Sequence, residues 1–236
     1  MIRSGWSSVV SWCVIALTSG CGAVAGSGRV VDQQRTVGAW KTLRVESGIR
    51  AEVVKGEPGV VVTTDHNLLA EVEPVLEGTT LVVRVRPHVD VSSNFGIAAK
   101  VSGDVLESAE ASGASVITGV ATLTETFRLG ASGASTLTIT GLDATDVRMD
   151  ASGASTITAS GRATSLRANA SGAPVLEAHD LPVRTAEVDG SGGSTLRLNV
   201  TDRLDGSLSG ASHLQWTGGA ASTVAASGGS TTTRSN

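Results

Sequence analysis

The chain has 236 residues, a net charge of −4, and only 3% aromatic side chains with no Tyr among them. So few rings and so little basic charge exclude a nucleic-acid binder, which needs stacking platforms and a cationic footprint that displaces counterions. With 40% hydrophobic residues the chain is not disordered, and its length allows one or two domains with real cores.

Residues 1–20 read as a signal peptide. Arg3 gives a positive start, residues 9–17 are apolar except for Ser11, and Thr18, Ser19 and Gly20 are small or short. The apolar run is less than half of the ~20 residues that a membrane span needs. Leu17-Thr18-Ser19-Gly20-Cys21 resembles the lipobox of bacterial lipoproteins, with Leu one place further from Cys than usual. The resemblance implies cleavage before Cys21 and lipidation of Cys21, hence an exported protein anchored in the membrane of the cell envelope. Gly22 is not the Asp associated with inner-membrane retention, which points to the outer membrane or cell surface. Cys13 leaves with the signal, so the mature chain holds no thiol pair for a disulfide. Residues 21–28 are expected to be a flexible tether.

Residues 29–100 form an N-terminal β region. Strand-like runs occupy 42–46, 49–55, 60–64 and 79–86, separated by turn signals at 56–59 and 77–78. Asp65 can cap a short helical turn over the next residues. Residues 91–99 read as a loop. This half is expected to cap the first rung of the C-terminal half, whose edge would otherwise expose unpaired backbone groups.

Residues 101–230 carry an internal repeat. A Ser-Gly-Ala/Gly-Ser tetrad begins at Ser112, Ser132, Ser152, Ser191, Ser209 and Ser227, with a Pro174 variant at Ser171; the spacings are 20, 20, 19, 20, 18 and 18 residues. Such a period marks a solenoid. Apolar residues fall at odd offsets from each tetrad, as in Ile117, Leu137, Ile157, Leu176, Leu196 and Leu214. Polar ones fall at even offsets, as in Thr118, Thr138 and Thr158. Strict alternation means strand, so the fold class is all-β: a parallel β-helix of ~20-residue rungs, stacked about 4.8 Å apart. The tetrad Gly marks a corner, and its second Ser (Ser115, Ser135, Ser155, Ser194, Ser212, Ser230) faces inward as a hydroxyl ladder. Residues 231–236 are expected to fray.

Two outward columns carry charge. Arg128, Arg148 and Arg167 stack four places before their tetrads and could bind an anionic glycan or lipid headgroup. Asp150, Asn169 and Asp189 stack two places before theirs and could hold Ca²⁺, although each also suits the simpler role of bonding a turn. Thr136, Thr138, Thr156 and Thr158 make a patch too small and too interrupted for an ice-binding array. No catalytic constellation is visible: His66, His88, His179 and His213 are scattered, all three Lys precede the repeats, and no P-loop, nucleophile elbow or zinc spacing occurs. No cofactor is expected.

Beyond the lipobox-like segment, the chain resembles the head GIN domain family, a bacterial envelope domain of auto-transporter adhesin type and unknown function. The resemblance lies in Gly26-Ser27-Gly28, Trp40-Lys41-Thr42-Leu43-Arg44-Val45, Thr64-Asp65-His66-Asn67-Leu68-Leu69, Glu77-Gly78-Thr79-Thr80-Leu81 and the tetrad rungs, over residues 27–230. It implies export, β-rich repeats and a lipoprotein signal in many members, and no established chemistry. The expected function is surface binding, adhesin-like or structural and without catalysis, to a glycan or an envelope protein. An envelope scaffold without adhesion and a glycan-active β-helix enzyme are the alternatives.

Overall fold

The computed structural model describes residues 23–235. In chain order its strands are β1 (Val24–Ala25), β2 (Val30–Thr36), β3 (Thr42–Val45), β4 (Arg50–Lys55) and β5 (Gly59–Asp65). A 3-10 helix (His66–Glu71) leads to β6 (Val72–Glu77), β7 (Thr80–Val85), β8 (Val91–Ser92) and β9 (Ala98–Gly103). The repeats supply β10 (Ser108–Ala111), β11 (Val116–Val120), β12 (Thr124–Ala131), β13 (Thr136–Gly153), β14 (Thr156–Gly172), β15 (Val175–Gly190), β16 (Thr195–Leu208), β17 (His213–Thr217), β18 (Ala221–Ala226) and β19 (Thr231–Arg234).

The expected parallel β-solenoid is present. Each rung has two long sides joined at two corners. One side stacks β10, β12, the second halves of β13 to β16, and β18; the other stacks β11, the first halves of β13 to β16, β17 and β19. We call these the first and second sides. The columns align as their spacing predicts: Leu137 pairs with Ile157, Ile157 with Leu176, and Leu176 with Leu196. All four are fully buried, because odd offsets face the core and even offsets face water. The Ser ladder is buried too from Ser115 to Ser212, and Ser230 on the last rung is half-buried. Ser155 donates to the carbonyls of Ala131 and Ser152, and Ser194 to the hydroxyl of Ser212 at 3.0 Å, so polar groups without water find partners along the stack.

The N-terminal half is more than a cap. β3 and β4 pair in parallel with β10 and β11, and β7 and β9 pair in parallel with β3 and β4. Two further rungs therefore continue the solenoid, and their spatial order is not their chain order. After the cap strand β2 the chain lays down the β3–β4 rung, then the rest of the cap, then the β7–β9 rung, and passes over β3–β4 through residues 104–107 to start the repeats. The corner of the β3–β4 rung, Glu46-Ser47-Gly48-Ile49, lies in register with the first tetrad, with Ser47 and Gly48 both at positive φ. Ile49 in place of a ladder Ser explains one orphan. The buried Ser115 hydroxyl, next to Ile49 in the stack, has no hydrogen-bond partner.

The cap proper is antiparallel. β6 covers the outer edge of β7, β5 covers β9, and β2 covers β5. The 3-10 helix bridges β5 and β6 and buries Leu68. The structure departs from expectation at three segments. Asp65 begins the 3-10 helix but makes no side-chain cap bond. Its buried carboxylate instead accepts from the Gly28 N–H at 2.6 Å and from the Ser93 hydroxyl. Residues 91–99 are not simply a loop, since Val91–Ser92 pairs with Val24–Ala25 and β9 begins at Ala98. Residues 231–235, expected to fray, are paired in the structure: β19 pairs with β17, the Thr231 N–H bonding the Ser212 carbonyl at 2.9 Å and the Ser235 N–H the Trp216 carbonyl at 2.8 Å. Backbone pairing orders these segments despite weak local propensity.

Candidate functional site

The first side presents its even-offset residues to solvent. Register places Arg128 beside Arg148 and Arg148 beside Arg167, then Glu187 and Asp205 on the next two rungs. All three arginines are exposed. They do not act alike. Arg167 forms an ion pair with Glu187, whereas Arg128 and Arg148 enter none of the ion pairs among the described residues. Two guanidiniums on successive rungs, whose backbones are about 4.8 Å apart, repel each other and favour an anion between them.

The neighbouring column runs Glu110, Gly130, Asp150, Asn169, Asp189 and Ser207. The expected stacking of Asp150, Asn169 and Asp189 on adjacent rungs is present. Asn169 donates its amide to Asp150 at 2.7 Å, and Ser207 donates to Asp189 at 2.7 Å. These bonds tie the rungs together and present an NH₂ group where a cation would need an oxygen. No group of three or more His, Cys, Asp or Glu among the described residues is placed to hold a metal. At the head of the column Arg44 bonds Glu110 at 2.8 Å, and that carboxylate holds the guanidinium above its ordinary value.

Between this column and the outward serines of the tetrads (Ser112, Ser132, Ser152, Ser171, Ser191) runs a groove of about 680 Å³. It crosses the rungs from Arg44 to Ser207, with a floor of small residues such as Ala131, Ala151 and Gly190. Sequence reading missed it because neither wall is distinctive alone. The signal was there: in the tetrads from Ser112 to Ser191, a small residue one place before, a hydroxyl at the tetrad, and a polar residue two places before in all but the Ser132 rung, which has Gly130. The groove offers hydroxyls, carboxylate oxygens and an amide, and it contains no aromatic ring and no His. A second groove of about 400 Å³ lies beside it, lined by Arg148, Arg167, Glu187, Arg203 and Asp205.

Charge on this side is arranged across rungs. The Asp205 carboxyl is held below the usual carboxylate value by the Thr223 hydroxyl first and the Arg203 guanidinium second. A depressed pKa stabilises the fold above the unfolded-chain value of about 3.9, and that stabilisation fades as pH falls through the lower folded value. Following the Asp205 carboxyl carbon by NMR should therefore give a midpoint below that of a free Asp. Thr223→Val should move the midpoint upward. An unmoved midpoint would reject the hydroxyl as the main cause.

Residues 39–220 match the family described as "Putative auto-transporter adhesin, head GIN domain". No curated relative matches the chain in sequence. Among solved structures it is similar to a "putative adhesin" from Bacteroides fragilis, at 14% identity and a TM-score of 0.83, covering 90% of this chain and 100% of that one. A "putative lipid binding protein" from Parabacteroides distasonis is similar at 14% identity and a TM-score of 0.71, covering 91% and 100%. A "putative adhesin" from Parabacteroides merdae is similar at 17% identity and a TM-score of 0.68, covering 91% and 99%. At these identities the likeness shows the fold.

Proposed function

Because the chain belongs to the head GIN family of auto-transporter adhesin type, we propose that it is an exported cell-envelope lipoprotein that acts by surface binding and without catalysis. Residues 1–20 are its signal, and Cys21 carries the lipid; both lie outside the described residues. No described helix is long and apolar enough to cross a membrane, which accords with attachment through an acyl chain. The adhesin-type family supports a place at the outer membrane or cell surface.

The observation that carries the binding reading is the first side itself. A 680 Å³ groove spans successive rungs, and next to it stand two unpaired, stacked guanidiniums, Arg128 and Arg148. A groove running across rungs suits an extended polymer rather than a compact substrate. Hydroxyl and carboxylate walls accept the donors of a sugar chain, and guanidiniums bind its carboxylate or sulfate groups bidentately. An acidic glycan is therefore the ligand class. Asp150, Asn169 and Asp189 serve as wall residues in this reading, with Ca²⁺ as a condition to be varied.

The test is a glycan and extracellular-matrix array probed with residues 22–236, with and without Ca²⁺. The expected result is retention on acidic glycans that weakens with salt. Arg128→Ser with Arg148→Ser should reduce it by well over tenfold, since each charge-assisted bond contributes roughly 1.5–3 kcal/mol and about 1.4 kcal/mol is already tenfold. Arg167→Ser should reduce it less, because Glu187 already holds that guanidinium. Equal binding by the double variant would remove the arginines from the site. A blank array would favour an envelope scaffold with a protein partner, and shortened glycan products would favour an enzyme.

A further inference from the structure

We propose that the capped end of the solenoid rests on the lipid bilayer, with Val24 and Phe95 entering its interface, so that the long sides stand up from the membrane. The inference rests on Cys21 being the lipid-bearing residue and adds an orientation to it.

The first observation is that the segment expected to be a free tether is tied down. Val24–Ala25 pairs with Val91–Ser92. The Asn67 amide donates to the Ala25 carbonyl at 2.8 Å and accepts from the Ser27 N–H at 2.8 Å. The Gly28 N–H bonds the buried carboxylate of Asp65 at 2.6 Å, and a side chain at Gly26 would collide with that carboxylate. From Val24 onward the chain is thus part of the cap. Three Cα steps separate Cys21 from Val24, and at ~3.8 Å each they span about 11 Å at most. An acyl group on Cys21 in the bilayer holds the cap within that distance of its surface.

The second observation concerns where large apolar side chains meet solvent. Among the described residues these are Val24, Val30, Leu76, Phe95, Val105, Val120 and Leu123. Val24 and Phe95 belong to the corner beside the cap. Val30 and Leu76 lie on β2 and β6, the outermost strands of the cap on the two sides. Val105, Val120 (the last residue of β11) and Leu123 lie at the opposite corner of the rungs that follow the cap, and none lies beyond residue 123. Phe95, 48% exposed, has its N–H fixed to the Ser93 hydroxyl, which in turn bonds Asp65. The segment beside Val24 is therefore held in place with its ring outward.

The opposite end shows the contrary pattern. The inward columns that hold Leu204, Leu214 and Trp216 finish in Ser222, Thr232 and Arg234 on the last rung. An end that faces water needs a polar closing rung, and here only Val224 and Ala226 among the inward positions of β18 and β19 are apolar. Apolar side chains around the anchored end and polar closure at the far end together set the direction of the rod.

The test uses the full chain, processed in bacterial cells, with Phe95→Cys or Thr233→Cys labelled by an environment-sensitive fluorophore. Each is reconstituted into phosphatidylethanolamine–phosphatidylglycerol vesicles with brominated acyl chains. The expected result is several-fold stronger quenching at position 95 than at position 233, on protein that floats with the vesicles. Floating protein with equal quenching at both positions overturns the orientation and leaves the anchor standing. Protein that does not float overturns both. A Cys21→Ser chain that still floats, with position 95 quenched, supports the docking surface and removes Cys21 as its anchor.

Discussion

Replacing Gly153 by Ala is expected to lower the thermal midpoint by roughly 6–12 °C, while the same change at Gly193 leaves it nearly unmoved. Both glycines sit in tetrads. Gly153 holds φ at +71°, and a Cβ there would lie 2.6 Å from the Gly133 carbonyl oxygen of the neighbouring rung. The left-handed conformation costs a non-glycine residue about 1–2 kcal/mol. The collision adds to this, because the Ala154 N–H bonds that same oxygen at 2.8 Å and the rungs cannot part without losing the bond. The total comes to about 3 kcal/mol, at the upper end of ordinary single-site effects. At Gly193 a Cβ meets nothing within 4 Å and φ is not positive. Thermal unfolding followed by circular dichroism decides the matter. Equal midpoints for the two variants would show that rung spacing does not depend on the Gly column.

Phe127→Ala should be the most damaging truncation in the core, at about 3–5 kcal/mol. Phe127 is fully buried and heads the column that continues through Val147, Leu166, Ala186 and Leu204. On its other side lies the 104–107 crossing, where Leu106 is buried. The ring fills space at the junction between the regular repeats and the out-of-order N-terminal rungs. A solenoid passes stability from rung to rung through such interfaces, so a cavity at this junction uncouples the cap from the repeats. Phe127→Leu, which keeps most of the volume, should cost under about 1.5 kcal/mol. Urea titration of both variants tests this. A loss below about 1 kcal/mol for Phe127→Ala would show that the junction collapses around the missing ring.

The surface follows a different rule from the core. The sequence places Arg128, Arg148 and Arg167 in one column, and the structure agrees. Yet of the three only Arg128 and Arg148 remain unpaired, because Arg167 meets Glu187 on the next rung, 20 residues away. The Gly26-Ser27-Gly28 and Asp65-His66-Asn67 segments, which resemble family motifs, prove to be two halves of one lock. It is closed by the Ser27–Asn67, Gly28–Asp65 and Asn67–Ala25 bonds. Neither half announces the other, since 37 to 42 residues separate the bonded partners.

What the sequence alone determined is everything that repeats. Period two names the strand and the inward face; a period near 20 names the rung; glycine at a fixed offset names the corner. These are local constraints, satisfied within a few residues and multiplied by stacking. What only the tertiary structure decided is everything that occurs once. The β3–β4 rung lacks the tetrad, its Glu46-Ser47-Gly48-Ile49 corner is recognisable only beside Ser112 to Ser115, and its place between β7–β9 and β10–β11 reverses chain order. The tie-down of Val24 and the conversion of Thr231–Arg234 into a closing strand are of the same kind. In each case backbone groups distant in sequence find partners when they meet, and hydrogen bonding between them leaves no periodic mark on the side chains from which it could be read.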